Sequence, residues 1–313
     1  MGPVESLFTV LGSFVGIFLI YSLIGGLCFF LRTFKRKDSD IYGIAPNDKM
    51  SEQKKRRYEV RKQEIDHLAT LPCQEMELES FDGKRLVGRL YPAKTNEKRL
   101  AICVHGYRSN GRRCYAGFVP VLNDLNMDVL IVDNRAHGDS EGDYTGFSVL
   151  DRIDVKMWVE SMKDDYDQIY LIGISMGAST CGLVAADMPE IAGVVLDCGF
   201  TSPIDAFRVR VESKMPPFLS EPVFFFGRMW CKMILGFDFK KVSTLAEMEK
   251  VQCPVLIIHG SEDQIVPQEM AEKLFEACAS ENKRLEIFEG AEHSTSFYVD
   301  RERYTALLEE FFR

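Results

Sequence analysis

Tyr170-Leu171-Ile172-Gly173-Ile174-Ser175-Met176-Gly177-Ala178-Ser179-Thr180-Cys181 is the stretch on which the reading of this chain turns. A short apolar run ends in Gly-x-Ser-x-Gly and passes directly into a helix-compatible segment. A sharp strand-to-helix turn at Ser175 would push its hydroxyl out of a sheet, and the two glycines leave room where side chains would clash. A helix starting there directs backbone N–H groups toward developing negative charge. The five-residue pattern alone is common, and its weight comes from the strand and helix on either side.

Outward from it, strand-like and helix-like stretches alternate. The strands read as Glu75–Ser80, Leu86–Tyr91, Leu100–Val104, Asp128–Val132, Ile169–Ile174, Gly193–Asp197, Val255–Ile258 and Arg284–Phe288. Phe81-Asp82-Gly83-Lys84 joins the first two as a hairpin. The later runs are continuous in Val, Ile and Leu, as in strands buried on both faces of a parallel sheet. Helical patterns fall near 112–124, 149–162, 176–187, 267–279 and 298–312. This is an α/β layered domain, whose reactive groups belong on loops at the carboxyl ends of its strands.

A serine hydroxyl needs a base, and the chain has five histidines. His67 lies in a basic stretch, His105 and His259 each end a strand in His-Gly, and His137 lies in the loop Arg135–Ser140. His293, in Gly290-Ala291-Glu292-His293-Ser294, alone gives the chain order serine, acid, histidine. The acid is expected after the penultimate strand, at Asp263, with Glu262 and Asp197 as alternatives. A buried carboxylate there would fix the imidazole tautomer and steady its cation. For an oxyanion, the donors are the Met176 N–H and one from the loop Val104–Gly111, where Tyr107 is best placed.

With these residues in order, residues 73–313 resemble an α/β-hydrolase. The nearest branch is the serine aminopeptidase/monoacylglycerol lipase-like group with its related bacterial esterases. The resemblance rests on His105-Gly106-Tyr107, on Asp133 through Gly142, on Gly173–Gly177, on Pro254–Asp263 and on Gly290–His293. It implies an eight-stranded, mostly parallel sheet with the second strand antiparallel, and an acyl-enzyme mechanism using no metal and no cofactor. It also implies a lid inserted after the sixth strand, here about residues 200–251. That segment holds Met215-Pro216-Pro217-Phe218-Leu219 and Pro222-Val223-Phe224-Phe225-Phe226, read as packed helices, as an acyl-pocket lining or as a bilayer contact. The expected substrate is a carboxylic ester with a hydrophobic or lipid-like acyl group. An aminopeptidase would need an acidic recess for an ammonium group. An acyl-thioester hydrolase would need a basic mouth, for which Arg108, Arg112 and Arg113 are candidates. From a different class, a non-catalytic binding or scaffold protein of the same fold would be expected to lack a triad residue.

The N-terminus reads differently. Leu7 to Leu31 contains no charged residue, and as a helix it would rise about 38 Å, more than a hydrocarbon core of about 30 Å. A cleaved signal wants a basic start and a shorter apolar stretch, whereas Glu5 precedes this one. Residues 1–31 are therefore expected to be a spanning anchor. Arg32, Lys35, Arg36 and Lys37 follow it, which places the rest of the chain in the cytosol. Gly12 and Gly16 form a G-x-x-x-G pair, which suits weak self-association or arises by chance in a glycine-bearing anchor. Residues 32–72 form a connector in which Lys49, Lys54, Lys55, Arg56, Arg57, Arg61 and Lys62 crowd a helix capped by Ser51 and running to about His67. It reads as a solvated face or as a collar attracted to anionic lipid.

Composition supports this division. Of 313 residues 46% are apolar and 27% charged, which excludes collagenous, low-complexity and broadly disordered chains. The net charge of −9 combines −1 for residues 1–31, +6 for 32–62 and −14 for the remainder. The acidic total argues against nucleic acid as a partner. Nine cysteines, an odd number without a C-x-x-C pair, read as free thiols in a reducing compartment and offer no zinc-ligand spacing.

Overall fold

The computed structural model describes residues 2–37, 40–43, 45–48 and 50–313, so Lys49 of the basic connector lies outside the described residues. The chain begins with α1 (Pro3–Phe34) and α2 (Glu52–Leu68), followed by β1 (Gln74–Glu79) and β2 (Arg85–Tyr91). Next come β3 (Arg99–Val104), α3 (Gly111–Tyr115), α4 (Phe118–Asp124), β4 (Asp128–Val132), α5 (Asp151–Met162), β5 (Gln168–Ile174), α6 (Met176–Asp187) and β6 (Gly193–Asp197). Between β6 and β7 (Val255–Gly260) stand α7 (Pro203–Glu212), α8 (Pro217–Leu235) and α9 (Thr244–Met248). The last elements are α10 (Gln268–Ala277), β8 (Lys283–Phe288), α11 (Ser296–Val299) and α12 (Arg301–Phe311).

The eight strands form one sheet in the order β1-β2-β4-β3-β5-β6-β7-β8. β2 is antiparallel to both β1 and β4, and every other pair is parallel. The expected sheet and its antiparallel second strand are thus present. Val104 pairs with Val132 and Gly173, Ile174 with Asp197, and Gly260 with Phe288. This register brings the carboxyl ends of the parallel strands to one edge, where their loops meet. β3, β5 and β6 are buried almost throughout because helices cover both faces. Trp158 of α5 and Cys181 of α6 pack on one face, and Tyr115, Phe118 and Tyr304 on the other.

Two expected helices are each broken. The stretch 112–124 divides at Ala116-Gly117, where a Cβ on Gly117 would lie 2.6 Å from Cδ of Glu64 on α2. The C-terminal stretch divides at Asp300, whose carboxylate accepts the Arg303 N–H (3.0 Å) and caps α12. α2 begins as expected, with the Ser51 hydroxyl accepting the Lys54 N–H at 3.3 Å.

α1 has two unlike halves. It is the one described helix long and apolar enough to cross a membrane. Up to Ile20 its large apolar side chains are exposed, whereas Ser22, Phe30 and Phe34 are buried. The second half runs parallel to α8. Tyr21 meets Met215, a Cβ on Gly25 would touch Val223, and one on Gly26 would lie 2.8 Å from the Gly227 nitrogen. Close helix approach therefore uses Gly26 and Gly227, while Gly12 and Gly16 face open space.

Candidate active site

Ser175 lies between β5 and α6 with φ 57° and ψ −116°. A non-glycine residue held there stores about 1–3 kcal/mol of strain. The surroundings force the conformation: a Cβ on Gly177 would collide with the Val104 carbonyl, and one on Gly173 would lie 2.5 Å from Ala178 Cα.

The loops after β7 and β8 bring two partners to this serine. His293 Nε2 lies 2.9 Å from Ser175 Oγ, and His293 Nδ1 lies 2.6 Å from Asp263 Oδ2. The Asp263 side chain is fully buried. Its other oxygen accepts the N–H groups of Ile265 (2.8 Å) and Val266 (2.9 Å). Burial alone would raise this carboxyl, but hydrogen bonds from His259 and then His293 outweigh it and hold Asp263 well below the usual carboxylate range.

The two alternative acids lie elsewhere. Asp197 accepts the Tyr304 hydroxyl at 3.0 Å, and burial pushes it up to about 6. Glu262 lines a cleft beside His293 but makes no hydrogen bond to it among the described residues. His259 has a place its sequence did not signal. Fully buried, its Nε2 donates to the Val266 carbonyl at 2.8 Å and lies 3.4 Å from Asp263 Oδ2.

The loop after β3 backs directly onto the serine, since a Cβ on Gly106 would lie 3.2 Å from Ser175 Cβ. The N–H groups of Tyr107 and Met176 both belong to this corner, and neither is taken by another group among the described residues. Two buried histidines fix the loop. His105 Nε2 accepts the Asn134 N–H (3.0 Å) and its Nδ1 donates to the Gly106 carbonyl (2.7 Å). His137 Nε2 accepts the Arg108 N–H (3.1 Å). Accepting an N–H requires a neutral ring, and burial lowers these two to about 4 and about 3.

Arg108, Arg112 and Arg113 do not form an open basic mouth. Arg108 donates to the Arg32 carbonyl, Arg112 pairs with Asp139 at 3.1 Å, and burial lowers the pKa of Arg113. Among the described residues one group converges as metal ligands would: Cys198, Asp263 and His293, with donor atoms within 4.8 Å. It suits a cation poorly. Asp263 and His293 already bind each other, and burial raises the Cys198 thiol well above its ordinary value, which leaves a protonated donor.

α2 grips the histidine loop. Gln53 Nε2 donates to the Gly290 carbonyl (2.5 Å), and Gln53 Oε1 accepts the Thr295 hydroxyl (3.2 Å). Lys54 pairs with Glu292 (2.7 Å). Arg57 Nη1 donates to the carbonyls of His293 (3.2 Å) and Ser294 (2.9 Å). Burial, then the neighbouring Arg61, lowers Arg57 to about 10. The spacing of Gln53 and Arg57, one helical turn apart, is the only sequence signal that they share a face. Between α2 and the loop lies a cleft of about 270 Å³ lined by Gln53, Lys54, Glu262, Gln264, Glu292 and His293. Toward α7 and α8, here called the cap side, Met176 is buried in a cluster with Phe147, Phe200 and Phe207.

With this geometry in place, residues 101–307 match the model of the alpha/beta hydrolase family. An uncharacterized protein of Bacillus subtilis, YqkD, is 33% identical over 201 residues, covering 62% of this chain and 65% of that protein. Human monoglyceride lipase is 28% identical over 261 residues, covering 72% of this chain and 85% of the lipase. Among solved structures, the Pyrococcus furiosus esterase Pf2001 superposes with a TM-score of 0.64 at 22% identity, covering 88% of this chain and 98% of the esterase. The monoacylglycerol lipase of Paleococcus ferrophilus gives 0.53 at 20% identity, covering 72% of this chain and 98% of the lipase. The chain is a hydrolase and belongs to the alpha/beta hydrolase family.

Proposed function

We propose that the chain is a membrane-anchored serine hydrolase that cleaves a carboxylic ester with a lipophilic acyl group. The observation that carries this reading is the row Asp263–His293–Ser175, closed at 2.6 and 2.9 Å, with the serine in its strained turn.

In this reading His293 Nε2 takes the Ser175 proton as Oγ bonds to the ester carbonyl carbon, and the carbonyl π pair moves onto its oxygen. The Met176 and Tyr107 N–H groups hold that oxyanion, and loss of one such donor costs roughly 10² to 10³ in rate. Asp263 steadies the imidazolium. Collapse re-forms the carbonyl and breaks the bond to the alcohol oxygen, which leaves with the proton from His293. Water then gives a proton to His293 and its oxygen attacks the acyl-enzyme. The carboxylic acid departs, and Ser175 recovers its proton.

An ester of a lipophilic acid is supported by the lipase and esterase relatives and by the aromatic cluster behind Met176. Anchoring is supported by the exposed apolar run of α1 and by Phe218, Phe225, Met229 and Met233, an exposed apolar stripe along the neighbouring α8. The basic residues after α1 favour a cytosolic catalytic domain. A panel of p-nitrophenyl esters of graded chain length, run beside aminoacyl amides and acyl thioesters, tests the substrate class. Esters of longer acids should have the highest kcat/KM, and a preference for amides or thioesters would replace the ester reading. Protease added to intact cells should leave the catalytic domain uncut, and digestion there would reverse the orientation.

A further inference from the structure

An anchor that only tethers would end in a loose connector, but the end of α1 enters the catalytic domain. Phe30 and Phe34 are fully buried and belong to the same apolar cluster as Met176, the residue next to Ser175. The cluster is continuous. The Phe34 ring meets Phe207 (5.9 Å) and Phe147 (6.2 Å), and Phe147 meets Tyr107 (5.2 Å). Polar contacts lock the same turn. The Tyr107 hydroxyl donates to the Thr33 carbonyl at 2.7 Å, so the last turn of α1 holds the loop beside the serine. The Arg36 N–H donates to the Asp143 carbonyl (2.7 Å), and the Thr145 N–H donates to the Phe34 carbonyl (2.8 Å).

We propose that the last turns of α1 form a wall of the acyl-binding site, with Phe30 and Phe34 determining which acyl chains the enzyme accepts. The proposal rests on the reading of Ser175 as nucleophile and deepens it. An acyl group held at Ser175 would extend toward the α2-side cleft or toward the aromatic cluster around Met176. The cleft on the α2 side has Ile265 as its one large apolar side chain and is otherwise lined by amides, charges and the His293 ring, which a hydrocarbon would strip of water at a cost. The cap side is rings, two of them supplied by the segment that continues out as the candidate membrane span. On that side an acyl chain would meet Phe147 first and, behind it, Phe34 of α1.

The test uses full-length protein in lipid nanodiscs and the ratio of kcat/KM for long-chain to short-chain p-nitrophenyl esters. Phe34→Ala enlarges the wall and should change that ratio by about tenfold, with Phe34→Leu changing it less and in the same direction. Phe30→Ala should also change it. Phe14→Ala, on the exposed half of α1, should leave it unchanged. A fluorophosphonate probe run in parallel should label Ser175 in every variant. Unchanged ratios in Phe34 and Phe30 variants that still label would overturn the wall while leaving the nucleophile intact. An equal change in Phe14→Ala would also overturn it, by tracing the effect to the membrane. Should Phe34→Ala fail to fold, Phe34→Leu decides. A wild type that labels no better than Ser175→Ala would defeat the parent reading instead.

Discussion

On the cap side of Ser175 the chain has packed rings, and on the α2 side it has placed amides and charges. N-terminal helices contribute to both sides, but in different ways. α1 contributes Phe30 and Phe34, whose burial is non-directional and tolerates reshaping. α2 contributes Gln53, Lys54 and Arg57, each bound to named atoms of the 290–295 loop. Hydrogen bonds demand fixed positions, whereas apolar contact demands volume. In our proposal the cap side therefore selects the acyl group, and the α2 side keeps His293 in register with Ser175 and Asp263.

The largest effect should come from the row itself. Asp263→Asn would leave His293 in the wrong tautomer and lower kcat on the order of 10⁴, read by ester hydrolysis. An equal loss from Asp197→Asn would move the acid to the residue that now binds Tyr304.

Next comes the polar side. Arg57→Ala frees the backbone of His293 and Ser294, and it should lower kcat roughly ten- to a hundredfold with little change in KM. A rise in KM alone would mean that α2 touches substrate rather than the histidine loop. Arg57→Lys should restore part of the rate, because its shorter-reaching ammonium can still donate to one of the two carbonyls.

How much of this was legible in the sequence follows from the range of the interactions. Ser175 and Asp263 follow strands whose Val, Ile and Leu runs are buried almost throughout, and His293 follows the half-buried edge strand β8, so loop and order could be read together. Arg57 and His293 are over two hundred positions apart, and a basic residue on a charged helix looks the same whether it faces water or a buried carbonyl. α1 is apolar on every side, so no periodicity marks which face meets α8. For the same reason nothing in the sequence singles out Gly26, which Phe226 and Gly227 contact, as the point of close approach. His259 read as a turn residue because His-Gly ends a strand, and its support of Asp263 depends on the fold of the 261–266 loop.

A smaller effect concerns stability behind the cap side. The Ser148 hydroxyl donates to the Met176 carbonyl (3.0 Å), and the Ser148 N–H donates to Asp151 (2.7 Å). Burial, with Asp154 nearby, raises Asp151 from 3.8 to about 7. A raised folded value favours folding fully below the unfolded value and loses that contribution as pH rises through the folded one. Asp151→Asn stays neutral and keeps the Ser148 bond. Its Tm relative to wild type should therefore climb between about pH 4 and about pH 7 and level off above. A flat difference would mean that Asp151 ionises without penalty.

The smallest effect should be Lys54→Ala. The pair with Glu292 is partly exposed, so its loss should cost about 0.5 kcal/mol of stability in thermal unfolding. A loss of rate comparable to Arg57→Ala would instead give Lys54 a share in holding the loop.

The central claim is that Ser175 is a nucleophile activated by His293. Fluorophosphonate labelling of the full-length protein, followed by mass analysis of its peptides, tests it most directly. One adduct should form, on the peptide carrying Ser175, and Ser175→Ala and His293→Ala should form none. Labelling of Ser175→Ala at the wild-type rate, or an adduct on another residue, would contradict it.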